Sequence, residues 1–487
     1  MAQKYWHDME ATVIKNYENL QKGQKIEIAG VAHNFSEKYL EDRYFLFYKD
    51  EPQVTFIDSS IRGKLQYKIK TIDDFWNVKI IERIIPELMK RGLQYDLRAD
   101  MEMDALEFIN RAEMSNYVFY DPYLEDYIYR LIAKIAPSTM LDGRPCNVNL
   151  VMLKDPTINA SMYSNGTLVI NTGLISCLHS EEELAAVIAH EVAHFVLDHS
   201  VNNVNSEIDR KKRAEFWSGV ATAIAGIAEV TTVALNPDGM KSNPYYVPGD
   251  ITCEMAKVCS EISNRVIDRL GMKYNHKQEA EADMMAMEVL EFLGYDKNAL
   301  CTTLTRMANA IALQRSNSIY FDTKKHQSLD SRIASLGVPN LVNDHNYEKT
   351  VSFAVTASAR MKYGERRFKD CLSLVRQNIA NKVATMQDYV LCVNCMLSLY
   401  DSSETNSEAL ELINMAKTIN PNDFNLLRTE ILVYLRQKNN EQAKSLMQNY
   451  ASLLNQSIEK TQSDVAKTYL YGELEWVNNM KLKIDAL

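Results

Sequence analysis

Basic residues are in short supply. Lys and Arg number 54 against 64 Asp and Glu, a formal charge of −10. A protein that neutralises nucleic-acid phosphates needs the opposite balance, so a general nucleic-acid binder is excluded. Cysteine is thin as well. There are eight in 487 residues, and Cys392 and Cys395 form the single CxxC, with no second one to complete a tetrahedral metal site. That spread excludes a disulfide-stapled miniprotein, reads as small buried positions and leaves the redox compartment open. The start, Met1-Ala2-Gln3-Lys4-Tyr5-Trp6-His7, has no apolar stretch of the signal-peptide kind. A cytoplasmic protein fits this, as does an exported one whose leader was replaced. What is present is ordinary for a folded chain, 46% apolar and 24% charged, with length for about three domains.

Residues 22–70 read as β. Lys25–Val31, Arg43–Tyr48, Gln53–Ile57 and Lys64–Ile69 are rich in Ile, Val, Phe and Tyr and are punctuated by turn residues, which suggests a small barrel or meander. From Thr71 to Met89 the apolar spacing turns helical. A second helix opens at Asp121 as N-cap with Pro122 behind it and runs to Ala136, with Leu124, Ile128, Leu131 and Ile135 on one face. Val148–Leu153 and Thr167–Asn171 read as strands around the turn Ser164-Asn165-Gly166. Ser180-Glu181-Glu182-Glu183 is a capping box that starts a helix to Asp198. Residues 353–487 are helical, and Ala443 follows Ala409 by one tetratricopeptide (TPR) period, with Ala416 and Pro421 at matching offsets.

The chemistry sits on the helix from Glu181. His190-Glu191-Val192-Ala193-His194 places two imidazoles one turn apart on nearly the same face, where both can grip one cation. Glu191 lies about 100° round from His190, able to flank the metal and take a proton from its water. An open catalytic zinc site needs a third protein ligand. His199 is some 180° round a continuous helix from His190, and Leu197 and Ser200 break the metzincin pattern. Glu279-Ala280-Glu281-Ala282-Asp283 is the better source. Glu279 and Asp283 share a helix face, so one can bind the metal while the other orients an imidazole, and Glu281 points elsewhere.

These stretches resemble the HExxH zinc metallopeptidase family of the HtpX proteases, the CAAX prenyl proteases, the Oma-type mitochondrial proteases and the BepA-like periplasmic proteases. Asp121-Pro122 to Ala136 is similar to a helix that leads into the family's domain. Asn159-Ala160, Gly166 and Thr172-Gly173-Leu174-Ile175 are similar to its strand region. Glu183 to His194 is similar to its active-site helix, and Glu279 to Asp283 to its E-x-x-A-D, whose first Glu binds zinc. His326 with Arg332-Ile333 resembles its H-P-x4-R-I element, although Gln327 replaces the Pro. The likeness spans about residues 105–340, and the TPR-like tail makes the BepA-like branch the nearest architecture.

The resemblance implies an α+β, mostly α fold: a zincin-like peptidase domain with a small sheet over 76–345, a β-rich region over 1–75 and a TPR-like helical domain over 346–487. It implies one Zn2+ per chain on His190, His194 and Glu279, with Glu191 as the general base of a gluzincin-type endopeptidase in protein quality control. Asp283, His326 and Arg332 fall around that site. His326 or Arg332 faces it as regulatory ligand or oxyanion stabiliser, or they are a helix-entry His and a structural Arg. An edge strand around Thr167–Asn171 would align extended polypeptide substrates by strand addition, with Asn159, Ala160, Leu168 and Val169 contributing. The alternative function is a chaperone-like or scaffold protein with a latent metal site, binding partners through the tail. A periplasmic or envelope location follows from the family, a cytoplasmic one from the bare N-terminus.

Phe216–Leu235 is 20 residues with one charge, Glu229, behind Arg210-Lys211-Lys212-Arg213, and it mimics a membrane span. A single span there would put His190 and Glu279 on opposite sides of a bilayer. The segment is therefore expected to be a buried helix or a lid, in contact with a membrane surface or a client, and not an integral anchor.

Overall fold

The computed structural model describes residues 9–33, 44–50, 53–58, 61, 63–83, 93–114, 116–138, 146–206, 274–317 and 329–485. Strands β1 (Met9–Val13), β2 (Lys25–His33), β3 (Tyr44–Asp50), β4 (Gln53–Asp58) and β5 (Leu65–Tyr67) form an antiparallel sheet in the order β4-β3-β2-β1-β5. It is a meander whose last strand returns to pair with the first. Composition hides β1, which has Ala and Glu where strands favour branched residues. Its alternation decides instead: Met9, Ala11 and Val13 are buried and Glu10 is exposed. They pack with Ile26, Ile28, Ile61 and Leu65, and with Val78 of helix α1 (Ile72–Arg83). That helix is described as far as Arg83, and the rest of the expected span to Met89 lies outside the described residues. Its other side enters the main core through Phe75 and Trp76, and the Trp76 indole N–H donates to the Ile135 carbonyl at 2.7 Å.

Helix α2 spans Leu93–Met114 and α3 spans Pro122–Ile135. The α3 start follows from capping chemistry. The Asp121 carboxylate accepts from the Tyr123 and Leu124 amides, and Pro122 sits where its missing N–H costs nothing. Leu124, Ile128, Leu131 and Ile135 are buried on its inner face.

A second sheet joins β6 (Asn149–Leu153), β7 (Ala160–Met162) and β8 (Thr167–Asn171) in the order β6-β8-β7. The turn before β8 needs its glycine. Gly166 has φ +84°, and a Cβ there would meet the Asn147 carbonyl oxygen at 2.8 Å. The expectation of an exposed edge at Thr167–Asn171 is corrected here. β8 is the central strand, parallel to β6 and antiparallel to β7, and Leu168 and Val169 are buried. Both its hydrogen-bonding sides are used, so no further strand can add to it. β7 is an edge.

Helices α4 (Thr172–Cys177), α5 (Glu181–Val196), α6 (His199–Ser206), α7 (His276–Phe292), α8 (Ala299–Asn317) and α9 (Leu329–Leu336) complete the central body. From Glu183 on, every residue of α5 is buried, because α3, α7, α8 and β7 all pack on it. The C-terminal helices are α10 (His345–Gly364), α11 (Phe368–Ala380), α12 (Met386–Leu399), α13 (Ser403–Lys417), α14 (Phe424–Arg436), α15 (Asn440–Lys460) and α16 (Asp464–Asp485). Each packs on the next, and Cys371, Ala409, Ala416 and Ala443 lie fully buried in the seams. No described helix is long and apolar enough to cross a membrane. Phe216–Leu235 lies outside the described residues.

Candidate metal centre

The site is built on two helices held close by small side chains. Ala185, Ala189 and Ala193 of α5 and Ala282 and Ala286 of α7 share one core and are fully buried, so the helix axes can approach. Each helix has a defined start. Ser180 Oγ accepts the Glu183 amide at 3.2 Å and fixes α5. The expected reciprocal backbone bond shifts by one residue, since Glu183 Oε2 accepts from the His179 amide rather than from the Ser180 amide. On α7 the box is complete, with Asn275 capping and Gln278 reaching back to the Asn275 amide. Both starts set the rotation that turns His190, His194 and Glu279 inward.

These three residues are buried, and their donor atoms all lie within 4.8 Å of one another. The two Nε2 atoms are 3.0 Å apart; Glu279 Oε2 is 3.6 Å from His190 Nε2 and Oε1 is 4.0 Å from His194 Nε2. The far side of each ring decides the chemistry. His190 Nδ1 is 2.9 Å from Asp283 Oδ1, and His194 Nδ1 is 2.8 Å from His199 Nδ1. A carboxylate can only accept, so Asp283 favours a proton on His190 Nδ1; a ring that carries its single proton there turns a lone pair inward at Nε2. If His194 likewise donates from Nδ1, two lone pairs and a carboxylate converge on one point. Without a cation that arrangement is repulsive; with one it is a ligand set of two imidazoles and a carboxylate.

Arg332, on α9, locks the outer side. Its Nε donates to Asp283 Oδ2 at 2.9 Å, one terminal nitrogen to Asp283 Oδ1 at 2.6 Å, and the other lies 2.8 Å from Glu279 Oε2. The guanidinium therefore braces two carboxylates. Burial alone would raise the Asp283 carboxyl. The His190 and Arg332 contacts overcome it and hold the group down at about 2. His326 lies outside the described residues.

Glu191 points the other way, toward β7. Its Oε2 accepts the Met162 amide at 3.0 Å, which ties the acid to the edge strand. Asn159 and Ala160 lie at the head of the same strand. The Asn159 carbonyl accepts the Asn171 amide, and Ala160 pairs with Ile170.

Sequence reasoning missed three participants. His199 looked too far round, but α5 stops at Val196 and Asp198 turns through φ +57°, which swings α6 and brings His199 back against His194. Glu281, read as pointing elsewhere, has Oε2 3.5 Å from His199 Nε2. Tyr274 stacks on the His194 ring with centroids 3.6 Å apart, and burial pushes its phenol well above the usual range. Positive φ at an aspartate is the kind of local signal that sequence carries only faintly.

Residues 122–339 match the model of Peptidase family M48. This M48 region contains every residue of the cluster. A Vibrio cholerae relative carrying the beta-barrel assembly-enhancing protease name is 27% identical over 192 residues, 39% of this chain and 34% of that protein. The metalloprotease LoiP of Escherichia coli K12 is 25% identical over 246 residues, 49% of this chain and 84% of LoiP. The mitochondrial metalloendopeptidase OMA1 of Schizosaccharomyces pombe is 25% identical over 211 residues, 43% of this chain and 51% of OMA1. The chain thus spans about a third of the length of the first of these relatives. The M48 match and the relatives' names support a metalloprotease.

Proposed function

We propose that this chain is a zinc-dependent endopeptidase. The observation that carries the reading is the inward convergence of His190 Nε2, His194 Nε2 and the Glu279 carboxylate beside Glu191. His190, His194 and Glu279 would hold the ion. When bound, zinc supplies Lewis-acid chemistry, acidifying a water and polarising a carbonyl. Glu191 takes the proton of the attacking water and passes it to the leaving amine, steadied by the Met162 amide. Asp283 and Arg332 keep the ligands oriented.

The outer edge of β7 is the surface where an extended substrate would add as a strand. Asn159 and Tyr163 spend backbone bonds on β8, so the alternation turns the Ala160 backbone outward, on the side where the Met162 amide meets Glu191. Recognition of this kind reads backbone, which suits unfolded or extended clients. The C-terminal helices, with their TPR-like spacing, would recruit a client or partner on a concave face. The beta-barrel assembly named in one relative makes an envelope quality-control role the working assignment for this chain. The test is metal analysis paired with cleavage of an unfolded protein by wild type and Glu191→Gln. The variant should retain one zinc per chain and lose cleavage; equal cleavage by the variant overturns the proposal.

A further inference from the structure

A cavity of about 280 Å³ lies where the M48 region meets the C-terminal helices. Arg306 and His179 line it from one side, Ser358, Lys362 and Asp370 from the other. Lysines ordinarily carry the ammonium out to water. Lys362 does not: it is 1% exposed, and its Nζ has no hydrogen-bond partner. Ser358, one turn earlier on α10, is fully buried, and its Oγ also lacks a partner. Two unpartnered donors at i and i+4 therefore belong to residues that line one cavity from the same side of α10; both atoms are closed to solvent, so each must turn toward the cavity to meet an occupant.

Three charged or ionisable groups of the cavity, Arg306, Asp370 and His179, are already engaged. Arg306 donates to Glu183 Oε1 at 2.9 Å and to Asn343 Oδ1 at 2.8 Å. Asp370 accepts from Arg367 Nε at 2.8 Å, and His179 Nδ1 is 3.0 Å from Glu348 Oε1. Burial, then the nearby Arg367, pushes the Lys362 amine down to about 8, partly offset by Glu365, Asp370 and Asp155. At neutral pH most of it still carries its proton. A buried ammonium with no hydrogen-bonded counter-group is costly, and an anion that accepts from it removes the cost.

We propose that this cavity binds a small oxyanion, a carboxylate or phosphate group, held by Lys362 Nζ and Ser358 Oγ. The volume suits a compact anion rather than a peptide. Arg306 adds positive potential from the M48 side, so an occupant would tie α10 to α8. Through Arg306 and Glu183, α8 braces the first turn of the helix that carries His190.

The test uses the full chain, with inorganic phosphate and glutarate as probes at constant ionic strength, followed by calorimetry and thermal unfolding. Wild type should bind one equivalent saturably, with a midpoint temperature that climbs with ligand concentration. Lys362→Met should weaken binding at least tenfold, and Ser358→Ala severalfold. A preference for phosphate identifies a phosphate-bearing ligand, and the reverse a carboxylate-bearing one. Absence of saturable binding, or equal binding by Lys362→Met, overturns the proposal. Should that variant not fold, Ser358→Ala and NMR of ¹³C-labelled lysine decide. The Lys362 midpoint near 8 should move upward with phosphate, and an unmoved midpoint is the overturning result.

Discussion

Two buried arginine–carboxylate clusters sit in this molecule and do different things. In the M48 region Arg332 braces Asp283 and Glu279 behind the two imidazoles. In the C-terminal helices Arg428 lies 2.6 Å from Glu473 Oε1, and the Tyr450 hydroxyl donates to Glu473 Oε2 at 2.8 Å. Both arginines are under a tenth exposed. The difference lies in what is left over. Each oxygen of Glu473 has a donor within the protein, so the tail cluster is closed. The M48 cluster ends in two inward-facing Nε2 atoms and the Glu279 carboxylate, whose ligand atoms converge within 4.8 Å of one another while Arg332 braces Oε2 from outside. Burial and pairing alone therefore do not mark a functional site; an excess of converging acceptors does.

The largest expected effect tests that excess. Glu191→Gln should lower turnover of an unfolded protein by about 10²–10⁴-fold, the usual worth of a general base, with zinc content unchanged. Next come the two arginines. Removing one partner of a buried ion pair costs about 3–5 kcal/mol, because the other charge stays behind. Arg332→Met and Arg428→Met should therefore destabilise similarly in urea unfolding. They should separate in metal affinity: Arg332→Met should weaken zinc binding about 10–100-fold, as loss of an outer support does, and Arg428→Met should leave it alone. Equal zinc affinities in the two variants would erase the distinction drawn between the clusters.

The same contrast explains what could be read from the sequence. His190, Glu191, His194, Glu279 and Asp283 were legible because helical spacing converts position into direction. The Asp121 cap and the buried face of α3 were legible for the same local reason. Leu168 and Val169 were misplaced because strand order is non-local: an apolar run cannot say whether a strand lies at the centre or the edge. His199 was misjudged because one left-handed residue, Asp198, ends the helix on which the angle was reckoned. Arg428 and Glu473 meet across 45 residues, and Lys362 finds its cavity only when α10 docks on the M48 region. No spacing rule reaches that far.

The smallest effect is a matter of sign. Asp283 and Asp388 are both buried aspartates, one in each region. Asp283 faces the Arg332 guanidinium and the His190 ring and is held at about 2, below its ordinary 3.8. Asp388 faces only neutral donors, the Thr356 and Thr385 hydroxyls, the Thr385 amide and the Asn378 amide group. Burial outweighs these, and its carboxyl is raised. Linkage then gives opposite slopes. The unfolded chain takes up the Asp283 proton first, so its contribution is full above pH 3.8 and lost as pH falls toward 2, about 2 kcal/mol in all. At Asp388 the folded chain takes up the proton first, so acid favours the folded state in the window just above 3.8. Carboxyl ¹³C NMR on the chelator-treated protein should find the two midpoints on opposite sides of 3.8. Urea unfolding below pH 4 should show a weaker acid loss in Asp283→Asn than in wild type. Midpoints on the same side would mean that the partners of the two carboxyls, both of them buried, do not distinguish the two regions.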